Sequence, residues 1–237
     1  MLNGLNRLSV VKVQVTVIVA GRIGLQRGDN SKSLTPRWRQ AMHDTIFDTP
    51  VVNTLLRGIS VAFLKIAGWK VEGSLPPDGV KCVLIAAPHA SNWDLPFTLM
   101  VAFVLRLKIY WMGKEQIFKP PFRGIMMWLG GIPVDREKST NLVAASVEAI
   151  KAAEGPLQLI VPPEGTRSGT RFWKTGFYYI ALGARVPIVM AYMEYEKKVA
   201  GLGPVFLPTG TIDADMAAIK ALYAPIKGKH PEWFAVD

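Results

Sequence analysis

The chain has 237 residues, half of them hydrophobic and only 19% charged, against a usual charged share of about 25%; this excludes extended disorder and allows one α/β domain with or without an appendage. Its single cysteine, Cys82, excludes an intrachain disulfide and fits a reducing compartment. The net charge of +10 is uneven, because residues 1–41 hold seven cations (Arg7, Lys12, Arg22, Arg27, Lys32, Arg37 and Arg39) against Asp29 alone.

Residues 1–50 read as a basic N-terminal arm, of a kind that meets nucleic acid or an anionic membrane. Its cations alternate with aliphatic runs such as Val13–Ala20 and not with aromatic stacking platforms, which favours a membrane over nucleic acid. A poorly ordered arm is the plain alternative. The apolar run is short, Lys12 borders it and no Ala-x-Ala follows, which weighs against a cleaved signal sequence. No stretch free of Asp, Glu, Lys and Arg exceeds the thirteen residues of 200–212, short of the ~18 expected of a spanning helix. Residues 51–79 read as an amphipathic helical segment. Leu55, Ile59, Ala62, Phe63, Ile66 and Trp69 recur there at helical spacing, with Arg57 and Lys65 off the stripe. Such a stripe suits a bilayer interface or a packed core equally.

Residues 80–237 read as one domain. Strand-like runs at 81–87, 109–113, 132–135, 157–162, 187–193 and 204–207 alternate with helical patterns at 95–106, 140–153, 174–183 and 213–223. This alternation predicts an α/β fold, a mainly parallel sheet flanked by helices, in which ligands gather where strands end and helices begin. The first such junction reads Pro88-His89-Ala-Ser91-Asn92-Trp93-Asp94. Five residues on a regular helix turn through about 500°, so His89 and Asp94 meet only if the chain turns between them, with Ser91 or Asn92 as the N-cap. A carboxylate on one ring nitrogen would fix the tautomer and leave the other nitrogen as a base. A capping box, Ser91-x-x-Asp94, explains the same residues without chemistry. Two further junctions, Gly130-Gly131-Ile-Pro133-Val-Asp135-Arg136 and Pro162-Pro163-Glu164-Gly165-Thr166-Arg167-Ser168, end strands in arginine, glycine and hydroxyls. Both suit a phosphate, although each alone is compatible with an ordinary turn.

Taken together, the blocks His89–Asp94, Gly130–Arg136, Pro162–Ser168 and Val186–Ile188, in this order and spacing, resemble the glycerophospholipid acyltransferase family over roughly residues 80–215. Lys174 and Gly176 are similar to the family's Lys-x-Gly after the third block. The resemblance implies that His89 is the general base and Asp94 its partner, with Arg136, Glu164, Gly165, Thr166, Arg167 and Lys174 around the acceptor's phosphate. It implies transfer of a fatty acyl group from acyl-CoA or acyl carrier protein to a lysophospholipid, 1-acylglycerol-3-phosphate above all, at the cytoplasmic face of the cell membrane. No cofactor beyond that co-substrate is expected. Pro133 and Pro162 stand where the family has phenylalanine, Pro88 where asparagine is common and Met190 where it has a second proline; these positions bear on the acceptor pocket and not on the acid, base and arginines.

Rival chemistries find less support. No Gly-x-Ser-x-Gly elbow is present for a serine hydrolase, and only Ser91 and Ser168 lie near the motifs. His43, His89 and His230 form no ligand-spaced cluster for a metal. No P-loop or dinucleotide-type glycine fingerprint occurs, and no nucleic-acid partner is expected.

Overall fold

The computed structural model describes residues 44–89, 91–134, 142–165 and 173–230; most of the basic arm, together with Arg136, Thr166, Arg167 and Ser168, lies outside the described residues. In chain order the elements are α1 (Pro50–Ile66), β1 (Lys70–Glu72), β2 (Lys81–Ala86), α2 (Asp94–Leu105), β3 (Ile109–Lys114), α3 (Arg123–Trp128), β4 (Gly131–Val134), α4 (Leu142–Ala152), β5 (Leu157–Val161), α5 (Gly176–Ala184), β6 (Ile188–Glu194), β7 (Val199–Phe206) and α6 (Ile212–Tyr223).

Cys82, Val83, Leu84 and Ile85 are all fully buried, as a strand covered by helices on both faces must be, and so β2 reads as an apolar run without alternation. It sits at the centre of a sheet ordered β1-β7-β6-β2-β5-β3-β4. Every neighbouring pair is parallel except β6 with β7. The pleat sends Val83 and Ile85 into a core shared with Ile150 of α4, Phe177 and Ile180 of α5 and Ile219 of α6. Cys82 and Leu84 point to the other face, beneath Ala102 of α2. The expected mainly parallel α/β sheet flanked by helices is therefore present.

Two parts of the sheet depart from the sequence reading. The run expected at 204–207 is the far end of the eight-residue β7, which turns back antiparallel along β6. Gly201 in β7 lies so close to β1 that a Cβ there would fall 2.0 Å from the Glu72 carbonyl oxygen; close backbone approach, and not a loop, is what demands this glycine. β1 itself comes from the 51–79 segment and pairs with β7, so the sheet begins upstream of residue 80.

The helix expected in 51–79 forms as α1, and its orientation is informative. Ser60 and Leu64 are buried, and Leu64 packs with Trp69 and with Val101 of α2. The stripe of Leu55, Ile59, Ala62, Phe63 and Ile66 faces outward, with Ile66 88% exposed; only Trp69, beyond the helix, turns into the core. Of the two uses open to that stripe, the core takes Trp69 alone. Among the described residues no helix is long and apolar enough to cross a membrane.

Candidate active site

The register of the three central strands assembles the site. Ile85 of β2 lies opposite Val161 of β5, and Ala86 opposite Ala191 of β6. The residues just past these strand ends, His89, Glu164 and Tyr195, therefore emerge side by side at one edge of the sheet. Tyr223 of α6 fastens β2 to β6 below them, its buried hydroxyl 2.6 Å from the Ile85 carbonyl and 3.1 Å from that of Ala191.

His89 Nδ1 lies 3.0 Å from Asp94 Oδ2. The chain does turn between the two, where the Asp94 N–H donates to the Ser91 carbonyl at 3.3 Å, and a cis Ala87–Pro88 peptide leads into that turn. Neither Ser91 nor Asn92 is the N-cap; that position falls to Trp93, whose own backbone is already helical. Ser91 acts one step earlier, its Oγ accepting from the Trp93 N–H at 3.1 Å while its N–H donates to Asp94 Oδ2 at 2.9 Å. The Asp94 carboxylate thus ties down the turn and holds the imidazole at once, while the capping box itself is not formed, because Ser91 is not the N-cap and its Oγ accepts from Trp93 and not from Asp94. A proton on Nδ1, shared with Asp94, leaves Nε2 with its lone pair.

Tyr195 belongs to none of the sequence motifs. Its hydroxyl donates to Asp94 Oδ1 at 2.8 Å across 101 positions of sequence. Trp69 and Phe97 fix its ring, with centroids 5.1 and 6.3 Å away. Burial and the Asp94 carboxylate both raise the phenol pKa, so the group stays a donor. With Tyr195 on one oxygen and His89 and Ser91 on the other, Asp94 is buried with a partner at each oxygen.

Glu164, which the resemblance places around the acceptor's phosphate, directs both carboxylate oxygens at the His89 backbone N–H, at 3.1 and 3.0 Å. It joins the turn after β5 to the turn after β2. Gly165 follows with φ +65°, and the Lys174 side chain occupies the space a Cβ on Gly165 would need, its Cδ 2.9 Å from that position. Lys174 is brought back by its own N–H, which donates to the Pro163 carbonyl at 2.7 Å. His89, Asp94, Glu164, Gly165 and Lys174 thus gather at the ends of β2 and β5. The glycines of the second block serve the opposite end of their strand: Gly130, at φ +83°, enters β4 where a Cβ would fall 2.3 Å from the Ile109 carbonyl oxygen.

His89 and Asp94 line an apolar cavity between the sheet and α2, together with Leu84, Val101, Ile109 and Ile160. Cys82 is buried and burial pushes its thiol up to about 12, so it is no nucleophile at neutral pH. Among the described residues no group of three or more His, Cys, Asp or Glu is placed to hold a metal ion.

The Acyltransferase family model matches residues 69–194, more than half of the chain and the whole stretch from Trp69 through the end of β6. The chain belongs to the acyltransferase family. No curated protein matches its sequence. Among solved structures, the acyltransferase is similar to the 1-acyl-sn-glycerophosphate acyltransferase PlsC of Thermotoga maritima. The TM-score is 0.52 and the identity 19%, over 80% of this chain and 85% of that one. At that identity the likeness establishes a common fold.

Glu164 gives the acyltransferase a testable pH dependence. Burial pushes its carboxyl from 4.5 up to about 7, opposed by the His89 N–H and imidazole and aided by the Asp94 charge. Between those values the folded protein holds a proton that the unfolded chain releases, so this group's contribution to stability falls as pH rises from 4.5 to 7. Glu164→Gln keeps a neutral acceptor for the His89 N–H and removes the titration. The variant's melting temperature is expected to decline less than the parent's between pH 5 and pH 8, a difference of about 3 kcal/mol at most. Parallel melting curves across that range would contradict the burial argument.

Proposed function

We propose that this acyltransferase moves a fatty acyl group from a thioester, acyl-CoA or acyl carrier protein, to a hydroxyl of a lysophospholipid, with 1-acylglycerol-3-phosphate as first candidate. The observation that carries the reading is the His89–Asp94 pair in the lining of an apolar cavity, in a chain of this family. A thioester is already activated and its thiol has a pKa of about 8.5, so the thiolate leaves readily and no acyl-enzyme is required. His89 Nε2 takes the proton of the acceptor's hydroxyl as the oxygen attacks the thioester carbonyl carbon. The tetrahedral oxyanion collapses with cleavage of the C–S bond, and the imidazolium returns its proton to the departing thiolate. The Asp94 carboxylate stabilises the imidazolium in between. The apolar cavity past Leu84 and Val101, about 50 Å³, takes no more than a short end of the acyl chain.

In this reading the acceptor's phosphate falls to Arg136, Gly165, Thr166, Arg167 and Lys174. Glu164, a carboxylate bonded to the His89 backbone, shapes the base instead of meeting an anion. The outward stripe of α1, from Leu55 to Ile66, rests on the membrane; an apolar face of this kind left in water marks an interaction site. The enzyme then works as a peripheral or monotopic protein at the cytoplasmic face, where lyso-lipid acceptors reside.

Steady-state kinetics with 1-acylglycerol-3-phosphate and with a phosphate-free monoacylglycerol test this assignment. Arg167→Ala is expected to raise KM for the phosphate-bearing acceptor by about tenfold or more, leaving KM for the thioester and all constants for monoacylglycerol nearly unchanged. Equal effects on both substrates would remove the arginine from the acceptor's phosphate.

A further inference from the structure

We infer that Lys114–Trp128, the connection between β3 and β4, is a second docking element for an anionic lipid surface, acting beside α1; this rests on the reading that the enzyme works at a membrane. The segment is a short 3-10 turn over Glu115–Phe118, the Pro120–Pro121 corner, and α3. It is anchored by Phe118, buried against Trp111 at 5.7 Å between ring centroids, and by the partly buried Met126 and Met127. The rest of its large apolar side chains face out: Ile117, Phe122, Ile125 and Trp128 are all exposed. Fifteen residues that bury one aromatic and display two more, with two isoleucines beside them, are not built to stabilise a core.

Charge selects the partner. Lys114, Lys119 and Arg123 are exposed among those apolar residues, and Glu115 is the one acid in the segment. Aromatic and aliphatic side chains that enter the acyl boundary, interleaved with cations at headgroup level, are the composition of an interfacial segment. Position selects the same partner. Phe118, Met126 and Met127 belong to the same apolar cluster as Ala102 of α2, on that face of the sheet, while Leu64 of α1 packs with Val101 of α2 and Phe63 meets Phe97 of α2 edge-on. The α1 stripe and this segment therefore flank α2 on one side of the sheet, the side that also holds the apolar cavity. Two apolar, basic-edged patches on either side of one helix fit an extended surface better than a compact protein. Two contacts fix orientation where one allows the molecule to pivot, so the α2 side of the sheet, with the cavity that His89 lines, is held at the lipid.

Flotation of the purified full chain with vesicles of phosphatidylcholine alone, or with about 30 mol % phosphatidylglycerol, tests the inference. Phe122→Ser with Trp128→Ser is expected to lower partitioning about tenfold or more on both vesicle types. Lys119→Glu with Arg123→Glu is expected to do so on the anionic vesicles alone, in a salt-dependent manner. Turnover of a short-chain, water-soluble acceptor should stay within about twofold of the parent in both, which confirms that the exposed substitutions leave the fold intact. Unchanged partitioning in both variants, with loss on substituting Leu55 and Ile59 by serine, would overturn this inference and leave the membrane reading standing. A parent chain that floats with neither vesicle would overturn both. Unchanged flotation with slower turnover of acyl carrier protein donors alone would reassign the patch to an acidic carrier protein, and a changed oligomeric mass without lipid would reassign it to self-association.

Discussion

Replacing His89 with alanine is expected to lower acyl transfer by about a thousandfold, the contribution of a positioned general base, while the melting temperature falls by only about 2–4 °C. The two effects separate because of how His89 is held. Its backbone N–H is bonded to Glu164, and alanine keeps that N–H. Its imidazole is 25% exposed, so the packing lost is that of a partly buried ring. Asp94 loses one of its partners but keeps the Ser91 N–H and the Tyr195 hydroxyl, a loss of about 1 kcal/mol. Rates from purified protein, read beside a thermal melt, check both parts. A variant that retains most of the parent rate would remove His89 from the chemistry.

Asp94→Ala is expected to be as inactive as the His89 variant and markedly less stable, by about 2–5 kcal/mol. Here the buried acceptor is the hub. Removing it leaves the Ser91 N–H and the Tyr195 hydroxyl pointing at a space with no oxygen, and it frees the imidazole to rotate and exchange tautomers. Asp94→Asn keeps the volume and one acceptor oxygen, so it should recover much of the stability without recovering the rate, because an amide cannot stabilise the imidazolium. Denaturant melts of the three proteins, ranked parent, Asn, Ala, report the hub role independently of activity. An alanine variant as stable as His89→Ala would mean that the network around Asp94 carries no weight in the fold.

The central strands were legible in the sequence because burial on both faces writes itself as an unbroken apolar run, and β2, β5 and β6 lie within a residue or two of where such runs occur. Their register then follows from hydrogen bonding, and the junction residues His89 and Glu164 come together without further information. What was not legible depended on contacts between distant segments. Tyr195 stands 101 residues from Asp94, outside any short motif, and nothing local distinguishes it from another tyrosine at a strand end. Gly201 and Gly203 made most of β7 look like a loop, and at Gly201 close approach to β1 replaces side-chain propensity with a steric demand. The α1 stripe was visible as a periodicity, yet periodicity has no sign: whether the apolar face meets the core or the surroundings is decided by Ser60 and Leu64 facing inward. The six-residue α3 is too short to show a helical period at all.

The most direct measurement follows the acyl group itself. Purified enzyme is given an acyl thioester carrying labelled acyl carbon together with 1-acylglycerol-3-phosphate, and the products are identified by mass spectrometry. The label should appear in an ester on the acceptor's hydroxyl, with one thiol released for each ester formed, and His89→Ala should yield neither. Label recovered only as free fatty acid, with the acceptor unchanged, would contradict acyl transfer and make the protein a thioester hydrolase.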